Sequence, residues 1–126
     1  MQTYTKGLWY FAEYESFRLE SEGNFYKLHV AGYSGNAGDS LSNVTAGSPT
    51  VQNGMRFSTP DADNDLKEDG SCSALNNNAS WWFNNCFLSC LTGPYNTKYF
   101  AWQSLITYGA QVQGRLRGAR MMIRRI

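Results

Sequence analysis

Asp61 to Cys72 reads DADNDLKEDGSC, with six acidic or amide side chains and only Ala62 and Leu66 as apolar ones. Asp61, Asp63 and Asp65 alternate, so hard oxygen donors can turn toward one cation of the kind that takes about six to eight oxygens. Asp, Asn and Gly also mark solvated turns, because their side chains bond the local backbone and tolerate unusual dihedrals. The aspartates alone do not choose between these readings. A helix–loop–helix calcium site is excluded, because counting from Asp61 puts Leu66 where the turn glycine belongs and Cys72 where the bidentate glutamate belongs.

Around this loop lies a chain of 126 residues, about one domain long, with formal net charge +1 and 15% aromatic residues. That balance excludes a polybasic nucleic-acid binder and a charged disordered segment. Nor does any apolar run approach the roughly 20 residues that span a bilayer, so membrane insertion is not expected. The opening MQTYTKG is polar and lacks the apolar core of a secretion signal; if the protein is exported, its leader lies outside this sequence.

Three cysteines, Cys72, Cys86 and Cys90, leave one over in any pairing, and with His29 as the sole histidine they are too few for a zinc site. The preferred pairing is Cys72 with Cys86, whose short loop would stabilise the fold by roughly 3 kcal/mol and imply an oxidising compartment. Sequons at Asn43 and Asn78 agree with secretion and glycosylation.

Along the chain, Gly7 to Leu19 reads as a strand, with Tyr10, Ala12, Tyr14 and Ser16 alternating with Phe11, Glu13 and Glu15. SEGN at Ser21 to Asn24 is a turn, and FYKLHV at Phe25 to Val30 completes an antiparallel hairpin. A short helix capped by Asp39 is expected next, then an exposed loop from Ser42 to Asn53 and a strand from Gly54 to Thr59. Trp81, Trp82, Phe83 and Phe87 form an aromatic cluster that serves as core or walls a ligand pocket. GARMMIRRI reads as a final strand, its arginines a solvated face rather than a nucleic-acid patch.

KLHVAGYSGNAGDSL, NGMRFSTPDADND, a following Cys, WWFNNC and a terminal MMIR occur in an order and spacing that resemble the fibrinogen-like domain, over about Tyr10 to Arg124. The complete domain of that family is about twice as long, so the chain resembles its C-terminal half. The resemblance implies an α+β fold: a twisted antiparallel sheet with short helices, truncated at the N-terminus. Its central-sheet remnants would fall at about 7–60 and 99–126, with calcium and pocket loops at about 61–98.

The family's calcium ligands, carried over, are the carboxylates of Asp63 and Asp65 and the backbone carbonyls of Lys67 and Asp69, with Asp61 in support. One extra residue separates Asp65 from Cys72, and Cys72–Cys86 matches the family disulfide. Lectin-like members hold acetyl groups beside that loop, where the peptide corresponding to Asn85–Cys86 is often cis and the N–H groups of Cys86 and Phe87 would face the acetyl oxygen. Asn76 stands at the usual wall tyrosine, Phe87 at the usual histidine, and Phe100 and Ala101 at a further wall pair. Cys90 replaces an asparagine of a common family turn.

Two functions follow from the resemblance. One is a secreted, calcium-binding recognition module of innate-immune type that takes acetylated glycans. The other is a matrix, receptor-ligand or clotting module that binds protein, with calcium only structural; Asn76 and Phe87 favour it. Oligomers would form through upstream collagenous or coiled-coil segments or through Cys90. An enzyme is disfavoured, because His29 lies in an alternating strand without a nucleophile motif nearby, and nothing around Cys90 would activate a thiol.

Overall fold

The computed structural model describes residues 1–3, 7–42, 49–107 and 116–125. In chain order it contains β1 (Gln2–Thr3), β2 (Ala12–Leu19), a 3-10 turn (Glu22–Asn24), β3 (Leu28–Gly35), α1 (Cys72–Leu75), β4 (Ser89–Cys90), β5 (Ala101–Trp102), α2 (Ser104–Thr107) and β6 (Leu116–Gly118). The α+β reading holds, but the sheet is divided into three antiparallel pairs, β1–β6, β2–β3 and β4–β5.

The hairpin forms as its alternation predicts, with Tyr14 opposite Tyr33, Phe17 opposite Val30 and Leu19 opposite Leu28. Leu28 and Val30 point inward and are buried, while His29 turns its Nε2 toward the Glu20 carboxylate, so it is a partnered sheet residue. The second strand begins later than expected, because Phe25 and Tyr26 both adopt positive φ at the tip. Phe25 N–H donates to Glu22 O, Phe57 N–H donates to Phe25 O, and the Trp82 indole N–H donates to Tyr26 O at 2.9 Å. The tip is thus anchored to the aromatic cluster. Gly35 closes the other end where a Cβ would stand 2.3 Å from Phe11 O, a distance only glycine avoids.

Three expected elements are absent among the described residues. Asp39 caps no helix; its Oδ1 accepts from the N–H groups of Leu41 and Ser42 and from Tyr14 Oη, which folds the backbone into a tight turn instead. Gly54 to Thr59 is not a strand but an irregular connection: Leu28 N–H donates to Met55 O, and Ser58 and Trp81 exchange both backbone bonds. The final strand is the short β6, and 119–125 continue without regular structure, so the arginines do not form a strand face. Within the predicted exposed loop, Val51 and Gln52 are buried, while Asn43 lies outside the described residues.

The core gathers Leu28, Val30, Trp81, Phe83, Trp102, Leu105 and Leu116. Trp82 meets Phe17, Phe57 and Trp81 edge-on, the geometry the ring quadrupoles favour. Trp102 spends its N–H on Gly38 O at 2.8 Å, satisfying the polar end of a buried ring. The aspartate loop joins this core through Ser58, which exchanges backbone bonds with Trp81, and through Leu66, whose N–H donates to Asn84 O.

Candidate functional site

The loop begins as a tight turn in which Thr59 and Ala62 exchange both backbone bonds. Thr59 Oγ1 donates to Asp61 Oδ1 at 2.7 Å, and this bond holds the Asp61 carboxyl below its ordinary range. Asp61 therefore braces the turn. Asn64 fixes the next residue by donating twice, from its N–H to Ser58 Oγ at 3.0 Å and from its amide to Phe57 O at 2.8 Å. Asn64 is thereby turned into the frame, between Asp63 and Asp65 in the chain.

Asp65 accepts two backbone bonds, from Lys67 N–H at 2.8 Å and from Cys72 N–H at 2.7 Å, while its own N–H donates to Asp63 Oδ1 at 3.3 Å. Burial pushes the Asp65 carboxyl up, the Cys72 and Lys67 N–H groups pull it down, and the neighbouring Asp63 carboxylate pushes it up again; the net direction is upward. Two carboxylates held this close repel until a cation or proton comes between them. Among the described residues the carbonyls of Lys67 and Asp69 accept no hydrogen bond. No group of three acidic, His or Cys side chains converges anywhere among the described residues, so a hard cation here takes two carboxylates and completes its shell with carbonyls and water. The donor set fits such an ion.

The loop is bolted to its neighbour. Ser71 caps α1 by accepting from Ala74 N–H, and Cys72 bonds Cys86 with Cα atoms 5.5 Å apart. Leu66 N–H donates to Asn84 O, and Asn84 in turn sends its amide to Val51 O at 2.9 Å and its N–H to Cys86 O. The Asn85–Cys86 peptide is cis. Among the described residues the N–H groups of Cys86 and Phe87 donate to nothing.

Of the other positions singled out from sequence, Asn85 is exposed and Phe87 is half-buried against Phe83, at 6.0 Å between ring centroids. Asn76 is 2% exposed and donates its amide to Cys72 O, so it lies beneath the loop and offers no wall. Phe100 is buried beside Tyr95, and Ala101 lies wholly inside β5. Cys90 is buried next to Thr92, and burial pushes its thiol up. The expected interchain role of Cys90 is therefore corrected, because an inaccessible, protonated thiol bonds no second chain in the folded state. Sequence reasoning overlooked Asn64 and Asn84, the two amides that orient the loop and join it to the Cys86 junction. Their only signal was a short polar side chain beside residues that had to be positioned.

A carboxylate loop is locked by a disulfide to an irregular aromatic segment, and both are carried on short antiparallel pairs. The family model for the C-terminal globular domain of the fibrinogen beta and gamma chains matches residues 2–125, and the chain belongs to that family. It is 44% identical over 90 residues to fibrinogen-like protein 1 of Rattus norvegicus, a match covering 68% of this chain and 27% of the relative. The fibrinogen-like globe domain of human ANGPTL2 shares its structure with a TM-score of 0.67 at 33% identity, covering 94% of this chain and 49% of that one. Lamprey fibrin D-dimer, complexed with the peptide ligand Gly-His-Arg-Pro-amide, matches with a TM-score of 0.65 at 29% identity, covering 79% of this chain and 35% of that one. The chain thus spans about a quarter of the length of the curated relative and half of the ANGPTL2 globe. No enzyme family is indicated.

Proposed function

We propose that this chain is an extracellular recognition module that binds calcium in the Asp63–Asp65 loop and takes a polypeptide ligand beside the Cys72–Cys86 junction. The observation that carries the reading is the double use of Asp65: one carboxylate oxygen holds Cys72 N–H while the whole group faces Asp63. A cation shared by Asp63, Asp65 and the carbonyls of Lys67 and Asp69 would relieve the repulsion and order the residues leading into the disulfide. A polypeptide ligand is favoured because Asn76 and Ala101 are withdrawn from the surface, leaving little enclosure for a sugar. The lamprey relative's peptide complex supports the same ligand class.

Calorimetric titration of calcium into chelated protein, with melting followed in parallel, tests the metal. Heat and a raised melting temperature are expected, and Asp63→Asn should weaken binding by at least about tenfold while the fold is retained. Asp65→Asn is the poorer probe, because an amide cannot accept from both backbone donors. Absence of heat and of stabilisation would remove calcium from the reading.

Acetylated glycans are the second reading, favoured by the N–H groups of Cys86 and Phe87, which are unpaired among the described residues and could meet an acetyl oxygen. Retention on N-acetylglucosamine resin, with elution by free acetate, would establish it against the polypeptide reading. Titration with Gly-His-Arg-Pro-amide gives the opposite arm.

A further inference from the structure

Between Cys72 and Cys86 the chain carries a modification signal that neither the metal nor the disulfide uses. Asn78, Ala79 and Ser80 form an Asn-X-Ser acceptor in which X is not proline. Sugar transfer to such a signal precedes folding, so the fold has only to accommodate the product. Here it does. Asn77 and Asn78 take left-handed φ of 57° and 63° directly after α1, and Asn78 N–H donates to Ser73 O at 2.9 Å, turning the chain back on the helix in a Schellman closure. Such closures frequently pack an apolar side chain back on the helix from the position that Asn78 holds; Asn78 is exposed instead. Left-handed backbone alone accounts for asparagine at both positions, but not for a hydroxyl two residues further on. Asn77 has Ala79 at that place and is no acceptor, whereas Asn78 has Ser80. Among the described residues the Asn78 side-chain amide makes no hydrogen bond that a linked sugar would break.

We propose that Asn78 carries an N-linked glycan that covers the exposed apolar end of α1. In the transfer, Asn78 Nδ2 bonds to C1 of a sugar donated by a lipid-pyrophosphate-linked oligosaccharide. The C1–O bond to the pyrophosphate breaks, the lipid pyrophosphate leaves with the electron pair, and one amide proton is released. A bulky, hydrated group at this exposed position displaces no core side chain. Leu75 is the surface it covers: it is 56% exposed and lies inside the ring that the Asn78–Ser73 bond closes. With the glycan in place, a ligand beside the Cys72–Cys86 junction has no docking surface on α1. The inference rests on the extracellular part of the proposed function and not on calcium or on the class of ligand.

The full chain is secreted from eukaryotic cells behind an added leader, and its peptides are mapped after enzymatic deglycosylation in heavy-oxygen water, which converts a glycan-bearing asparagine to a labelled aspartate. Label at Asn78 is expected. Ser80→Ala should abolish it while Asn78 stays in place, and Ser80→Thr, which keeps the hydroxyl, should retain it; near-UV dichroism confirms that both variants fold. Hydroxyl-radical footprinting before and after deglycosylation reads the shield. Oxidation of Leu75 should rise when the glycan is removed, whereas Leu66, 60% exposed on the aspartate loop and tied to Asn84 O, should be unchanged. The inference is overturned if Asn78 carries no label, if Ser80→Ala keeps the label, or if Leu75 is oxidised equally in the two forms. Export of a chain with an intact Cys72–Cys86 bond and an unlabelled Asn78 would sink this inference alone and leave the extracellular reading standing.

Discussion

The β2–β3 hairpin and the irregular stretch from Ser58 to Trp102 differ in a way that regularity alone does not suggest. None of the eight side chains of β2 is fully buried, although every residue is extended. In the irregular stretch Ser58, Cys72, Phe83, Ser89 and Ala101 have no exposed surface, and Trp81 and Trp102 almost none. Two paired strands satisfy one another's backbone but cannot bury a face without a second layer. The irregular stretch gains that layer from itself, because Asp65, Asn64, Asn76 and Asn84 replace the backbone ladder with side-chain bonds. Rigidity here comes from polar side chains and a disulfide, and the hairpin borrows it through Trp82.

Trp82→Ala breaks that loan and should have the largest effect. It deletes edge contacts with Phe17, Phe57 and Trp81 together with the bond to Tyr26 O, and a loss of about 3–5 kcal/mol in denaturant unfolding is expected. An effect within about 0.5 kcal/mol would mean that the hairpin stands on its own.

Replacing both Cys72 and Cys86 by Ser comes next. The bond closes a separation of 14 residues, and its loss should cost about 3 kcal/mol in thermal melting. Amide exchange should rise in residues 61–90 far more than in β2 and β3; a uniform rise would erase the distinction between the regions.

Acid should act in the reverse order, on the hairpin first. Burial pushes the Asp39 carboxyl up, but the bonds from Ser42 and Tyr14 and the N–H groups of Ser42 and Leu41 more than offset it, so its folded value lies below the ordinary one. Such a group adds stability above its unfolded pKa of about 3.9, and loses it as pH falls through the folded value. Exchange protection in β2 should therefore drop below about pH 4, and Asp39→Asn should flatten that dependence. The smallest effect is expected at Glu13→Ala on the exposed side of β2, within about 0.5 kcal/mol by the same denaturant assay.

The hairpin was legible because period-two alternation is local, and Leu28 and Val30 point where that alternation puts them. The expected helix at Asp39 failed because its carboxylate found Tyr14, 25 residues away, as an extra partner, and the short turn it already holds leaves no helical continuation. The strand expected from Gly54 failed because its backbone is claimed by Leu28 and Trp81 from separate segments.

What the sequence determined by itself was therefore whatever rests on identity and order: the family and the Cys72–Cys86 pairing. Only the tertiary structure decided which polar side chains face outward. Asn76 turned in beneath the loop, Asn64 and Asn84 became its braces, and Cys90 was sealed in the core. The reason is that an Asn or Cys side chain is short and suits surface or interior equally, so its direction is set by whichever buried backbone group lacks a partner, and that partner comes from distant parts of the chain.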